Sequence, residues 1–164
     1  MKTIFSYRLS ATGVWGYGFY ESEREIGSVS GSTSPNAPVR ISGNAVEWYS
    51  TFQIDTIVVP GVSRKVKDNR TGGEVYRIVY CEPGFYRLMG GNVSLLAEKR
   101  KDAYLFGEQG MPAVALTERI SEAEWMPEPG RMEAEPWFRT TVYEDSLSGS
   151  MLMAILSFPA LWFY

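Results

Sequence analysis

Histidine is missing from all 164 residues, and its absence closes off several kinds of chemistry at once. Without it there is no Ser-His-Asp or Cys-His arrangement, no imidazole general base and no His-containing zinc site. Cysteine occurs once, at Cys81, so no intrachain disulfide can form and the chain suits a reducing compartment. Nothing near Cys81 would activate a thiolate, and it reads as a small apolar strand residue. Long apolar runs are also missing from the start of the chain. After Met1 and Lys2, the residues Ser6, Arg8 and Ser10 interrupt any signal-peptide core, so the expected location is the cytoplasm. The chain has no block of like charge either. Its 16 basic and 19 acidic residues are dispersed and sum to −3, which favours no nucleic-acid partner.

Apolar residues make up 45% and aromatics 14%, enough for one well-packed domain spanning residues 1–164. From Thr3 to Val142 the chain is written in short alternating runs punctuated by Gly, Pro and Asn, the pattern of strands joined by tight turns. In Val14–Tyr20, Gly16 and Gly18 alternate with Trp15, Tyr17 and Phe19, which predicts a strand with close backbone approach or a bend. Gly43-Asn44 and Asp68–Gly73 read as hairpin turns. In Glu74–Cys81 the spacing places Val75, Arg77, Val79 and Cys81 on one face, with Tyr76, Ile78 and Tyr80 on the other. Gln53–Val59 is a further strand candidate, and Glu122 to Pro136 reads as an acidic, Pro-rich connector anchored by Trp125, Met126 and Met132. The fold class is therefore mainly β, about a dozen strands in a closed antiparallel barrel or sandwich.

The last segment breaks this pattern. Ser146–Tyr164 carries no charge, and Asp145, Ser146 or Ser148 can cap a helix start. A helix apolar on every side is buried in protein or in lipid. Pro159 predicts that regular structure stops at Phe158, giving a helix within 146–158 that is roughly 16 Å long. A membrane span needs about 20 residues, so a buried core helix is expected, with a tail anchor as the alternative. A barrel of eight strands has no room for a helix, whereas one of eleven or more does.

A strand-built domain that closes with an uncharged terminal helix resembles the tubby C-terminal-like superfamily, which includes tubby domains, LURP-one-related proteins and phospholipid scramblases. The residues that carry the resemblance are Trp137-Phe138-Arg139-Thr140-Thr141-Val142-Tyr143-Glu144-Asp145 followed by Ser146 to Phe163. Asp68 to Tyr80 and Tyr104 to Ile120 look like that family's inner hairpins. The likeness spans roughly the last hundred residues, and it implies a twelve-stranded barrel around a hydrophobic helix and a membrane-lipid ligand bound through basic wall residues. The chain departs from the pattern in being acidic overall and in lacking a cysteine-rich acylation tract.

The one basic concentration is Lys65 and Lys67 with Lys99, Arg100 and Lys101, and it is the candidate site for anionic headgroups. Glu122/Glu124 and Glu133/Glu135 are paired carboxylates, but their polar connector offers no burial to shift a pKa for acid–base work. Asp68, Asn69 and Asp102 lack the spacing of a calcium loop, and Gly13, Gly16 and Gly18 are not followed by a phosphate-cradling helix. No cofactor is implied. The expected function is a non-enzymatic binding or scaffold domain for anionic lipid or a protein partner, and a small-molecule-binding barrel lined by Trp15, Tyr17, Phe19, Trp48 and Tyr49 is the alternative. The sequence leaves the oligomeric state open.

Overall fold

The computed structural model describes residues 1–9, 13–32, 37–51, 60–91, 93–120 and 136–161. Twelve strands follow one another along the chain. They are β1 (Lys2–Arg8), β2 (Val14–Glu21), β3 (Arg24–Ser32), β4 (Pro38–Gly43), β5 (Val46–Thr51) and β6 (Ser63–Asp68), then β7 (Glu74–Glu82), β8 (Phe85–Gly90), β9 (Val93–Arg100), β10 (Ala103–Gly107), β11 (Ala115–Arg119) and β12 (Phe138–Val142). Each pairs antiparallel with the next, and β12 returns to pair with β1 from Lys2↔Val142 to Ser6↔Phe138. The barrel is closed, and among the described residues every strand has a partner on both sides. The strand candidate Gln53–Val59 and the connector anchors Trp125, Met126 and Met132 lie outside the described residues.

Local chemistry accounts for the turns. Asn44 and Ala45 both have positive φ, 49° and 62°, the two-residue geometry whose twist matches the flanking strands of a hairpin. Gly16 has φ 144°, and a Cβ there would lie 2.0 Å from the Val29 carbonyl oxygen of the paired strand. Gly18 has no such constraint, because its nearest neighbour is the movable Tyr20 ring. Gly16→Ala is therefore expected to cost about 2 kcal/mol and Gly18→Ala well under half of that. Urea unfolding of the two variants side by side measures the difference.

Helix α1 (Gly149–Leu161) fills the barrel. It touches β2 to β5 on one side and β9 on the other, and its Phe158 ring packs edge-to-face on Tyr86 of β8 and on Tyr104 and Phe106 of β10, with centroids 5.4, 4.9 and 5.5 Å away. Leu152 through Pro159 are all buried. The dimensions agree with this placement. Twelve tilted strands about 4.8 Å apart enclose a cylinder roughly 24 Å across, and inward side chains from both walls leave about the 10–12 Å that one helix needs.

The helix runs three residues past the expected end at Phe158 and includes Pro159. Proline removes one donor and crowds the carbonyl four residues back, but this one sits in the final turn, where little of the ladder remains to be lost. That turn is held from outside, because the Arg64 guanidinium donates through Nη1 to the Leu161 carbonyl and through Nε to Ser50 Oγ. Among the described residues no helix is long and apolar enough to cross a membrane. α1 is a core helix, with Leu152 through Pro159 and Leu161 buried.

Candidate functional site

Alternation along the wall strands decides which side chains face outward. In β6, Val66 is buried, so Lys65 and Lys67 project from the outer surface while Arg64 projects inward beside α1. In β7, Tyr76 and Ile78 are buried and Arg77 faces out. In β8, Tyr86 and Leu88 are buried, leaving Arg87 and Met89 outside. In β4, Val39 and Ile41 are buried and Arg40 is exposed.

Register then assembles these residues. Lys65 is directly opposite Arg77, which is directly opposite Met89. Arg87 faces Val79 and is thus the diagonal neighbour of Arg77. On the other flank Lys67 faces Tyr49, which faces Arg40. Directly opposed residues have Cβ atoms roughly 5 Å apart and diagonal ones about 7–8 Å. Five cations therefore share one outer face of β4–β8. Every acid in these strands, namely Glu47, Asp68, Glu74 and Glu82, sits at or next to a strand end. Arg77 meets Glu74 at 2.9 Å. Among the described residues, Arg40, Lys65, Lys67 and Arg87 form no ion pair.

Lys99, Arg100 and Lys101 lie elsewhere. They close β9 and open the turn to β10, at the barrel end where the Lys99 amide donates to the Gly84 carbonyl. Arg100 is already engaged with Glu98 at 3.3 Å. Three strands and about five residues of axial rise separate them from Lys65, roughly 20 Å in all. The five basic residues grouped by sequence are thus two separate features. The wall cluster instead recruits Arg40, Arg77 and Arg87. Their outward alternation was readable from sequence, but their adjacency depends on register across separate hairpins.

The interior holds a second polar group. Arg64 is mostly buried, and burial pulls its guanidinium down to about 10, which leaves it charged at neutral pH. Tyr76 is fully buried near both Arg64 and Ser157, and loss of solvent raises its phenol above the ordinary range. Burial likewise pushes the Tyr104 phenol up to about 12. The Ser157 hydroxyl donates back to the Met153 carbonyl at 2.7 Å within the helix. Through the Arg64–Leu161 contact these groups stitch α1 to the wall. Of the aromatic set proposed to line an interior cavity, Tyr17, Phe19 and Trp48 are buried in the core, Trp48 edge-on to Tyr76 at 5.3 Å, whereas Tyr49 lies on the outer face beside Lys67 and Arg40.

Among the described residues no three His, Cys, Asp or Glu side chains gather as a metal site would require. The carboxylate pairs Glu122/Glu124 and Glu133/Glu135 fall outside the described residues. Comparison with family models, with curated proteins and with solved structures returns no match, so the chemistry of the wall cluster rests on its own residues.

Proposed function

We propose that this chain is a non-enzymatic binding or scaffold domain of tubby-like architecture that recognises anionic lipid headgroups at the cytoplasmic membrane surface. One observation carries the reading: Lys65 and Arg77 face each other directly across β6–β7, with Arg87 diagonal to the pair. Like charges in opposed strand positions destabilise a sheet. Glu74 offsets only part of that repulsion, and an anion lying against the wall would relieve the rest. The resemblance supports the same ligand class, because the barrel around a terminal helix that it implies is the architecture present. A basic face on an acidic chain also orients the molecule, so the wall would approach a negative membrane while the rest of the surface is repelled.

Co-sedimentation with phosphatidylcholine vesicles, with and without phosphatidylinositol bisphosphate, tests the proposal. Binding is expected only with the anionic lipid. It should disappear near 1 M salt, where the screening length falls to about 3 Å. The triple variant Lys65→Glu/Arg77→Glu/Arg87→Glu is expected to bind at least 100-fold more weakly, at about 1 kcal/mol or more per reversed charge. The rim variant Lys99→Glu/Arg100→Glu/Lys101→Glu should stay within a few fold of wild type. Equal binding by the wall variant would refute the assignment.

A further inference from the structure

At the opposite end of the helix from Arg64, the barrel mouth carries a groove of about 720 Å³. It forms where the β10–β11 connection, the segment after β12 and the start of α1 converge. Its lining is mixed, with apolar Val114, Leu147, Met151, Met111 and Tyr143 beside the hydroxyls of Ser146 and Ser148. Met111 is 64% exposed and Tyr143 44%. Glu108 and Glu144 are the only charged residues among the described lining, and no cation accompanies them.

We propose that this groove binds a small amphiphilic ammonium compound, with its hydrocarbon chain along Leu147 and Met151 and its cationic head between Glu108, Glu144 and the Tyr143 ring. The volume falls in the range of small-ligand sites, about 300–1,000 Å³. Exposed Met111 and half-buried Met151 give walls that adapt to a flexible chain. An aromatic face next to carboxylates is the environment that attracts organic cations. The start of α1 opposes a cation with about half a positive charge, but two full carboxylate charges outweigh it. Ser148 Oγ already accepts from the Met151 amide at 3.2 Å and quiets that end further. Anionic and neutral amphiphiles lack the matching charge. The groove is separate from the basic wall, so its occupancy does not depend on lipid binding there.

The test is an NMR titration of the intact chain with octyltrimethylammonium below its micelle-forming concentration, alongside octyl sulfate, octanol and tetramethylammonium. Saturable shifts are expected at Met111, Tyr143, Leu147 and Met151 with octyltrimethylammonium, and at least tenfold weaker binding for the other three. Glu108→Gln/Glu144→Gln should weaken binding roughly tenfold while leaving the spectrum otherwise unchanged. A control, Glu21→Gln/Glu23→Gln, at the β2–β3 turn, should have no effect. The proposal is overturned if octyl sulfate binds equally well, if the groove variant retains full affinity, or if the shifts map elsewhere. Tighter binding of a Leu-Lys peptide at these resonances would overturn the small-molecule assignment.

Discussion

A chain cut after Asp145 is expected to lose its cooperative unfolding transition and to bind hydrophobic dyes as a loosely packed state. The cut removes α1, the only element among the described residues that fills the inside of the barrel. Its loss would leave the inward side chains of nearly every strand facing a void roughly the width of a helix. Water cannot wet that lining without charge for Ile4, Phe19, Val29, Ile41, Ile78 and Leu88, all of which are buried against each other or against α1. An empty tube of that bore has no stable filling, so the wall should collapse and lose register. Near-UV circular dichroism and thermal melting measure this directly. A sharp transition and native aromatic signals in the shortened chain would show that the helix is dispensable.

Phe158→Ala should cost about 3–5 kcal/mol, the largest effect of any single substitution in the helix. Its ring is the meeting point of three others, and a methyl group in its place leaves Tyr86, Tyr104 and Phe106 without their edge-to-face partner. Those walls are strands fixed in a closed cylinder, so they can relax only slightly into the space. For a chain of this size the melting temperature should drop by roughly 10 °C. Phe158→Leu keeps most of the volume and should lose less than half as much. An equal penalty for Leu and Ala would mean that ring geometry rather than volume holds the site.

Much of this arrangement could be read from the residues, and the reasons differ from place to place. The alternation in Glu74–Cys81 puts Tyr76 and Ile78 on one face and Arg77 on the other, because a strand has a period of two whatever its partners, and the structure shows that the first face is the buried one. The absence of charge after Asp145, set against the strand count, is enough to put a helix within a barrel. Arg64 is instructive in the other direction. Strand alternation that puts Lys65 and Lys67 on one face puts Arg64 on the other, yet a basic strand invites a solvated reading of all its cations. Only the end of a buried helix, with a carbonyl to satisfy, explains a charge pointing inward. The same carbonyl contact helps explain why Pro159 does not end the helix at Phe158.

The wall cluster and the mouth groove were out of reach for a shared reason. Arg40, Lys65, Arg77 and Arg87 come from four strands, and whether two strands place their cations side by side or offset depends on register that turn lengths alone do not fix. Lys99, Arg100 and Lys101 stay together at the β9–β10 turn, but the barrel holds them away from Lys65 and Lys67 in β6. The groove combines three segments, each of which alone reads as an ordinary loop or helix start.

The seam between β1 and β12 constrains how the molecule can come into being. Eleven of its twelve strand pairings join neighbours along the chain and can form as the chain emerges, but residue 2 meets residue 142 only when nearly everything else is made. The segment that must lie within the cylinder follows β12, so it emerges after the last stave. A growing sheet thus has to remain open, with the β12-facing edge of β1 unpaired and the apolar face of the sheet uncovered, until α1 is available to be wrapped. Folding should therefore be slow relative to the quick, local hairpins that precede closure. The interval before closure is the one in which a chaperone, or another copy of β1, would find this protein most receptive.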